Sequence, residues 1–256
     1  MQGLDHLSIL LRWIHILAGI LWIGLLYFFN FVNGPFAGTM DGDTKKKVVP
    51  ELMPRALYWF RWGAAYTWVT GVLLLIIVFY IGNAMLDTGV QWNAANTIML
   101  LTIFIIPFIY DALSKSALGK DPKMFAALAF IIVTALIYVA QSPAVGFGYR
   151  GYLIYVGGMF GTIMAFNVWF RIWPNQQKII TGVKTGQPAD ASVVALAGLR
   201  SKHNTYMSVP LVWAMINVHS VVFSSANGWI ILPIVILIGW SIAFLIYKKA
   251  AKVKGF

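Results

Sequence analysis

Residues 7–31 read LSILLRWIHILAGILWIGLLYFFNF, and this stretch decides the fold. It carries a single formal charge, Arg12. A helix rises about 1.5 Å per residue, so the run is long enough to cross a hydrocarbon layer of roughly 30 Å. Six more runs repeat the pattern: Leu57–Ile81, Ala94–Leu113, Met124–Gln141, Tyr152–Trp173, Tyr206–Phe223 and Trp229–Tyr247. The expectation is an all-α, polytopic membrane bundle of about seven transmembrane helices. With no internal repeat and no soluble domain in view, residues 1–256 read as one transmembrane helical domain. The longest non-apolar stretches, Val32–Ala56 and Pro174–Thr205, read as loops. No cleavable signal is expected, because the first run is too long and lacks a small-residue cleavage site.

Composition agrees. Hydrophobic residues make up 60% and charged residues 11%, where a soluble domain carries about 25% charged. The 19 Lys and Arg against 8 Asp and Glu give a net charge of +11. These cations sit in short loops between apolar runs, so the positive-inside rule accounts for them and nucleic acid is not an expected partner. With no cysteine, disulfides, thiolate metal sites, iron–sulfur clusters and covalently attached c-type haem are excluded. No P-loop, dinucleotide fingerprint, HExxH or nucleophile elbow is present.

Basic residues mark one side. Lys45, Lys46, Lys47 and Arg55 fall in the first loop, Lys115, Lys120 and Lys123 in the third, and Lys178, Lys184, Arg200 and Lys202 in the fifth. The tail adds Lys248, Lys249, Lys252 and Lys254, while the alternate loops hold only Arg150. Seven helices with that alternation place the N-terminus outside and the C-terminus in the cytoplasm of a bacterial inner membrane. Arg12 lies close enough to the outer end to snorkel, and Arg61 and Arg171 sit at helix ends where contact with lipid phosphate is the default. Trp22, Trp59, Trp62, Trp68, Trp92 and Trp229 read as interfacial anchors.

Two histidines lie within apolar runs, His15 in the first and His219 in the sixth. Both come out about 6–8 Å to the outer side of the midplane. An imidazole in hydrocarbon is costly unless paired, hydrated or ligated. Equal depth on two helices suits the two axial nitrogens of a haem b iron, and Gly19, one turn after His15, removes a side chain where a macrocycle edge could lie. Hydrogen-bonded packing is the competing reading for both rings. Copper is expected to recruit more soft or imidazole ligands, and the ten methionines are scattered along the chain. His203 stands about 24 Å along the helix from His219 and cannot share its metal; capping or solvation explains it as well as chemistry. Asp111, with Lys115 one turn on, reads as a local ion pair or a step in a proton path. The small residues Gly157, Gly161 and Ala165 form a ridge for close packing or for a flat cofactor.

Four stretches carry a resemblance: LLRWIHILAGILWIG (residues 10–24), MPRALYWFRWGAAYTWVTGVLLL (53–75), GTIMAFNVWFRIWPNQQKIITGVKTGQPAD (161–190) and LRSKHNTYMSVPLVWAMINVHS (199–220). Together they cover about a third of the chain. They resemble the membrane domain of the bacterial membrane-bound urate oxidases, or urate hydroxylases, in which a helical bundle precedes a cytochrome c domain. The resemblance implies a redox membrane protein that passes electrons toward a c-type cytochrome, alone or within a larger respiratory-type membrane complex. It assigns a family role to the positions of His15, His203, Asn204 and His219. Three departures stand out. The given sequence has no CxxCH, its first loop lacks a histidine- and glycine-rich segment, and Gly63 stands where the resemblance calls for an acidic residue. Little or no urate oxidation by this chain alone is therefore expected. Two classes remain: a b-type haem electron-transfer protein or subunit, and a structural or assembly subunit whose histidines only pack.

Overall fold

The computed structural model describes residues 2–220 and 228–253. Helix α1 (Gln2–Tyr27) runs through a π-helical turn at Phe28–Asn33 into α2 (Gly34–Thr39), and α3 (Gly42–Leu74) continues as a π-helical turn over Leu75–Ile81. Then come α4 (Ala94–Lys115), α5 (Pro122–Ala140), α6 (Tyr149–Asn167), α7 (Trp173–Thr185), α8 (Ala191–Asn217) and α9 (Gly228–Ala250). No strand occurs among the described residues. Local chemistry sets the boundaries. Asn93 and Asn96 cap each other at the start of α4, and Asp121 accepts from the amides of Lys123 and Met124 at the start of α5, with Pro122 as its first residue. Gly186 closes α7 at φ 73°, a left-handed conformation that glycine adopts without a Cβ clash.

Six helical stretches among the described residues are long and apolar enough to cross a membrane: Leu4–Thr39, Gly42–Ile81, Ala94–Lys115, Pro122–Ala140, Tyr149–Thr185 and Gly228–Ala250. Trp13, Ile20, Ile98, Phe108, Ile131 and Ile238 are each more than half exposed. A water-facing surface does not carry so many large apolar groups; hydrocarbon is their solvent. The protein is a multi-pass membrane bundle. Its seventh expected run, Tyr206–Phe223, is helical only to Asn217, and its last three residues lie outside the described ones.

The stretches read as loops are largely helical. Val32–Ala56 contains α2 and the first turns of α3, and Pro174–Thr205 contains α7 and the first half of α8. Polar helices that extend beyond the apolar layer leave no mark in hydropathy. Two placements change with them. Arg200, counted as a loop cation, is fully buried, and Trp22, taken as an interfacial anchor, is 2% exposed.

The chain divides into two compact units. The first comprises residues 1–72, 164–208 and 241–256. In it α1 lies close on α3: a Cβ at Gly63 would stand 3.3 Å from the Trp22 amide nitrogen, and Phe29 meets Phe60 edge-on at 5.3 Å. The C-terminal part of the first helical stretch meets α8 through Tyr27 Oη and Ser208 Oγ at 3.0 Å, and through Asn30, which donates to Ser201 Oγ at 2.8 Å. The Tyr247 hydroxyl on α9 donates to Asn30 Oδ1 at 2.9 Å. The end of the first apolar run thus meets the start of the sixth.

The second unit comprises residues 73–163 and 209–240. Here the small-residue ridge of α6 is filled by α8: the bare face of Gly157 meets Met215, and that of Gly161 meets Leu211 Cδ1 at 3.6 Å. The ridge therefore serves helix packing at these two positions. Two connecting segments are clasped together, with Asp87 N donating to Gly146 O at 2.9 Å and Gly148 N to Met85 O at 3.0 Å.

Candidate functional site

His15 is the most constrained of the histidines. Its half-buried ring lies on α3, where Nδ1 is 3.2 Å from Thr70 Oγ1. Thr70 has one hydroxyl proton, and two helix carbonyls lie in reach, Tyr66 O at 2.6 Å and Thr67 O at 3.2 Å. Carbonyls only accept, so the hydroxyl donates to them and accepts from His15 Nδ1–H. That network assigns the Nδ1–H tautomer and leaves Nε2 as the lone-pair nitrogen, the state in which histidine binds a metal with its other nitrogen oriented by a second group. Gly71 makes the approach possible. A Cβ there would stand 3.0 Å from His15 Cε1, so the ring would have to give by a few tenths of an ångström. Gly19 faces Thr67, where an added Cβ would stand 3.8 Å from Cγ2, an ordinary contact distance.

His219 has left the helix. The α8 carbonyl ladder ends at Asn217, whose oxygen accepts from the Tyr149 hydroxyl at 2.8 Å and from Ser220 N at 3.0 Å. This capping turns the chain one residue before His219, whose ring is exposed. It lines a cavity of about 430 Å³ within the second unit, together with Asp87, Thr88, Tyr149, Arg150 and Ser220. That cavity is open and mixed in lining; the sequence had marked Arg150 only as the lone cation of the alternate loops and had not marked Tyr149.

His203 and Asn204 take different parts. His203 precedes the apolar half of α8 and follows Arg200 and Lys202 on the same helix. Burial, and then the two neighbouring cations, push its pKa down to about 4, so the ring is neutral at physiological pH. Asn204 is completely buried. It accepts from Asn167 Nδ2 at 2.8 Å and donates to Met164 O at 3.0 Å, which ties α8 to α6. Asn167 and Arg200 are the members of this buried polar layer that sequence reasoning missed. Asp111 is buried and pairs with Lys115 Nζ at 2.7 Å, the local ion pair its spacing suggested. Among the described residues no group of three or more His, Cys, Asp or Glu converges as a metal cage.

The family model for the urate oxidase N-terminal domain matches residues 36–255. The chain belongs to that family. The matched region includes Asp111, His203, Asn204 and His219, while His15 and Gly19 precede it. No curated protein and no solved structure matches the chain. At Gly63 this family member differs from what the resemblance calls for, and packing gives the consequence. An acidic side chain at Gly63 would have to push apart the α1 and α3 backbones, which meet there.

Proposed function

We propose that this urate-oxidase-like protein is an electron-transfer component of the bacterial inner membrane. In this reading it holds one b-type haem and passes electrons toward a c-type cytochrome or a larger respiratory-type complex. The observation that carries the reading is His15: its Nδ1–H is occupied by Thr70, and its Nε2 lone pair is the nitrogen an iron would take. The depth match expected from the sequence names His219 as the second residue that would hold the group, although α8 itself ends at Asn217. A bound b-type haem supplies one-electron chemistry without covalent attachment, which suits a chain with no cysteine. The protein's own work would then be to orient His15 through Thr70 and to keep water from that ring with α3. The N-terminus would be outside and the C-terminus cytoplasmic, as the lysine and arginine distribution indicates.

A reduced-minus-oxidised visible spectrum of the chain purified from haem-replete cells tests this directly. A Soret band in the wild type is expected, lost or converted in His15→Ala and His219→Ala and retained in His203→Ala. A wild type without a Soret band overturns it. The second reading, a structural or assembly subunit, is favoured by the same contact seen differently. His15 is already hydrogen-bonded to Thr70 and packed on Gly71, which is what a packing histidine requires.

A further inference from the structure

Arg61 differs from Arg55 and Arg171 of the first unit. Arg55 pairs with Glu51 at 2.7 Å, and Arg171 donates to the Phe170 carbonyl at 2.8 Å. The Arg61 guanidinium has no hydrogen-bond acceptor and no carboxylate among the described residues, and its Nε is buried. What surrounds it is aromatic. The guanidinium carbon lies 4.0 Å from the Trp173 ring centre, 5.7 Å from Tyr58 and 5.8 Å from Trp169. Trp169 is anchored in turn, donating its indole N–H to the Arg61 carbonyl at 3.1 Å and meeting Trp62 edge-on at 5.6 Å.

Stacking over a ring balances part of the charge but bonds to none of the guanidinium's five N–H donors, which lie in its plane. A cation with a buried, unbonded N–H in a membrane protein calls for an anionic acceptor. A guanidinium seated 4.0 Å over Trp173 presents a planar fork, the group that recognises a phosphate or carboxylate through two parallel bonds. Tyr58, Trp59 and Phe170 beside it are 47%, 57% and 60% exposed. Exposed aromatic side chains mark the headgroup level of a bilayer, and these sit where the polar first turns of α3 give way to its apolar part. We propose that Arg61, seated in the cage of Tyr58, Trp169 and Trp173, is a binding site for a phosphate oxyanion, and that the anionic headgroup of a phospholipid supplies it.

The test uses the full chain purified in a neutral maltoside detergent. Its thermal unfolding is followed with added dioleoyl phosphatidylglycerol, with dioleoyl phosphatidylcholine and with inorganic phosphate. Saturating phosphatidylglycerol should raise the wild-type Tm by roughly 5 °C, and phosphatidylcholine should raise it less. Arg61→Gln should abolish the rise. Arg61→Lys should keep less than half of it, because a point charge replaces the fork. Trp173→Leu, which keeps the cation but removes its platform, should weaken it as well. An equal rise with inorganic phosphate would keep the site and change its natural occupant to a soluble anion. The proposal is overturned if no phosphate-bearing probe shifts the wild type, or if Arg61→Gln responds like wild type. Since the Arg61 guanidinium has no hydrogen-bond acceptor and no carboxylate among the described residues, Arg61→Gln is expected to fold; its failure to do so would count against the proposal too.

Discussion

Replacing Thr70 with valine tests the contact on which the His15 site depends. The two side chains have nearly the same shape, and Thr70 is 5% exposed, so packing is conserved and only the hydroxyl is removed. Its bonds to Tyr66 O and Thr67 O cost little to lose, because those carbonyls remain within the α3 ladder. The consequence falls on His15, whose Nδ1–H loses its acceptor at 3.2 Å. A buried donor left unbonded costs about 1–3 kcal/mol in soluble proteins. Interhelical bonds in membrane proteins average about 0.6 kcal/mol and reach about 1.7 kcal/mol. With the ring only half-buried, about 1 kcal/mol is the expected loss, or a Tm lowered by about 2–4 °C for a chain of this size.

Stability alone would not separate this contact from ordinary packing, so the decisive assay is the tautomer. In protein carrying nitrogen-15 histidine, the His15 signal should report a protonated Nδ1 and a bare Nε2 in wild type. Thr70→Val should give a mixture of the two tautomers, and Thr70→Ser should restore the wild-type signal. If Thr70→Val keeps both the wild-type tautomer and the wild-type Tm, Thr70 does not orient the ring. That result would stand whatever the spectrum says about haem.

Three further outcomes follow from the same structure. Asn204→Leu removes two buried bonds between α6 and α8 and leaves Asn167 Nδ2 and Met164 O facing an apolar group; chemical or thermal unfolding should show a loss of about 2–4 kcal/mol. His203 has a folded pKa of about 4 against about 6.5 unfolded, so protonation favours the unfolded chain. Stability should be fullest above pH 6.5, fall as pH drops toward 4 and level off below it, and His203→Gln should flatten that part of a Tm-versus-pH curve measured in nanodiscs. A reporter fused to the C-terminus should be active in the cytoplasm, and activity confined to the periplasm would reverse the assigned orientation.

Hydropathy made the membrane-crossing segments legible because it measures the property that lipid selects, a long run of side chains that tolerate hydrocarbon. It was silent on the helices outside that layer. The first turns of α3 are held by Asp41, which accepts from the amides of Asp43 and Thr44, and α8 starts on Asp190, which accepts from Ser192 N. Such caps are sequence signals, and reading them would have recovered both helices. The site was half legible. His15 stood out because a polar group at apolar depth is conspicuous, Asp111 because Lys115 follows one turn on, and Asn204 only through the family resemblance. Their partners did not, since Thr70, Asn167 and Met164 are ordinary residues given meaning by a neighbour 37 to 55 positions away.

The arginines show most sharply where counting fails. The positive-inside rule treats each Lys or Arg as a unit charge near lipid headgroups, and for Lys45–Lys47 or Lys248 that description suffices. It treats Arg200 and Arg61 alike, although Arg200 is fully enclosed in the first unit and Arg61 is stacked on Trp173. Burial of a guanidinium is worthwhile only where acceptors or rings replace its water. A buried arginine is therefore a statement about the residues around it, and no count along the chain contains them. In Arg200 the enclosure adds to the field that keeps His203 neutral. In Arg61 the described residues supply rings and no hydrogen-bond acceptor, the half of its recognition that the proposed oxyanion would complete.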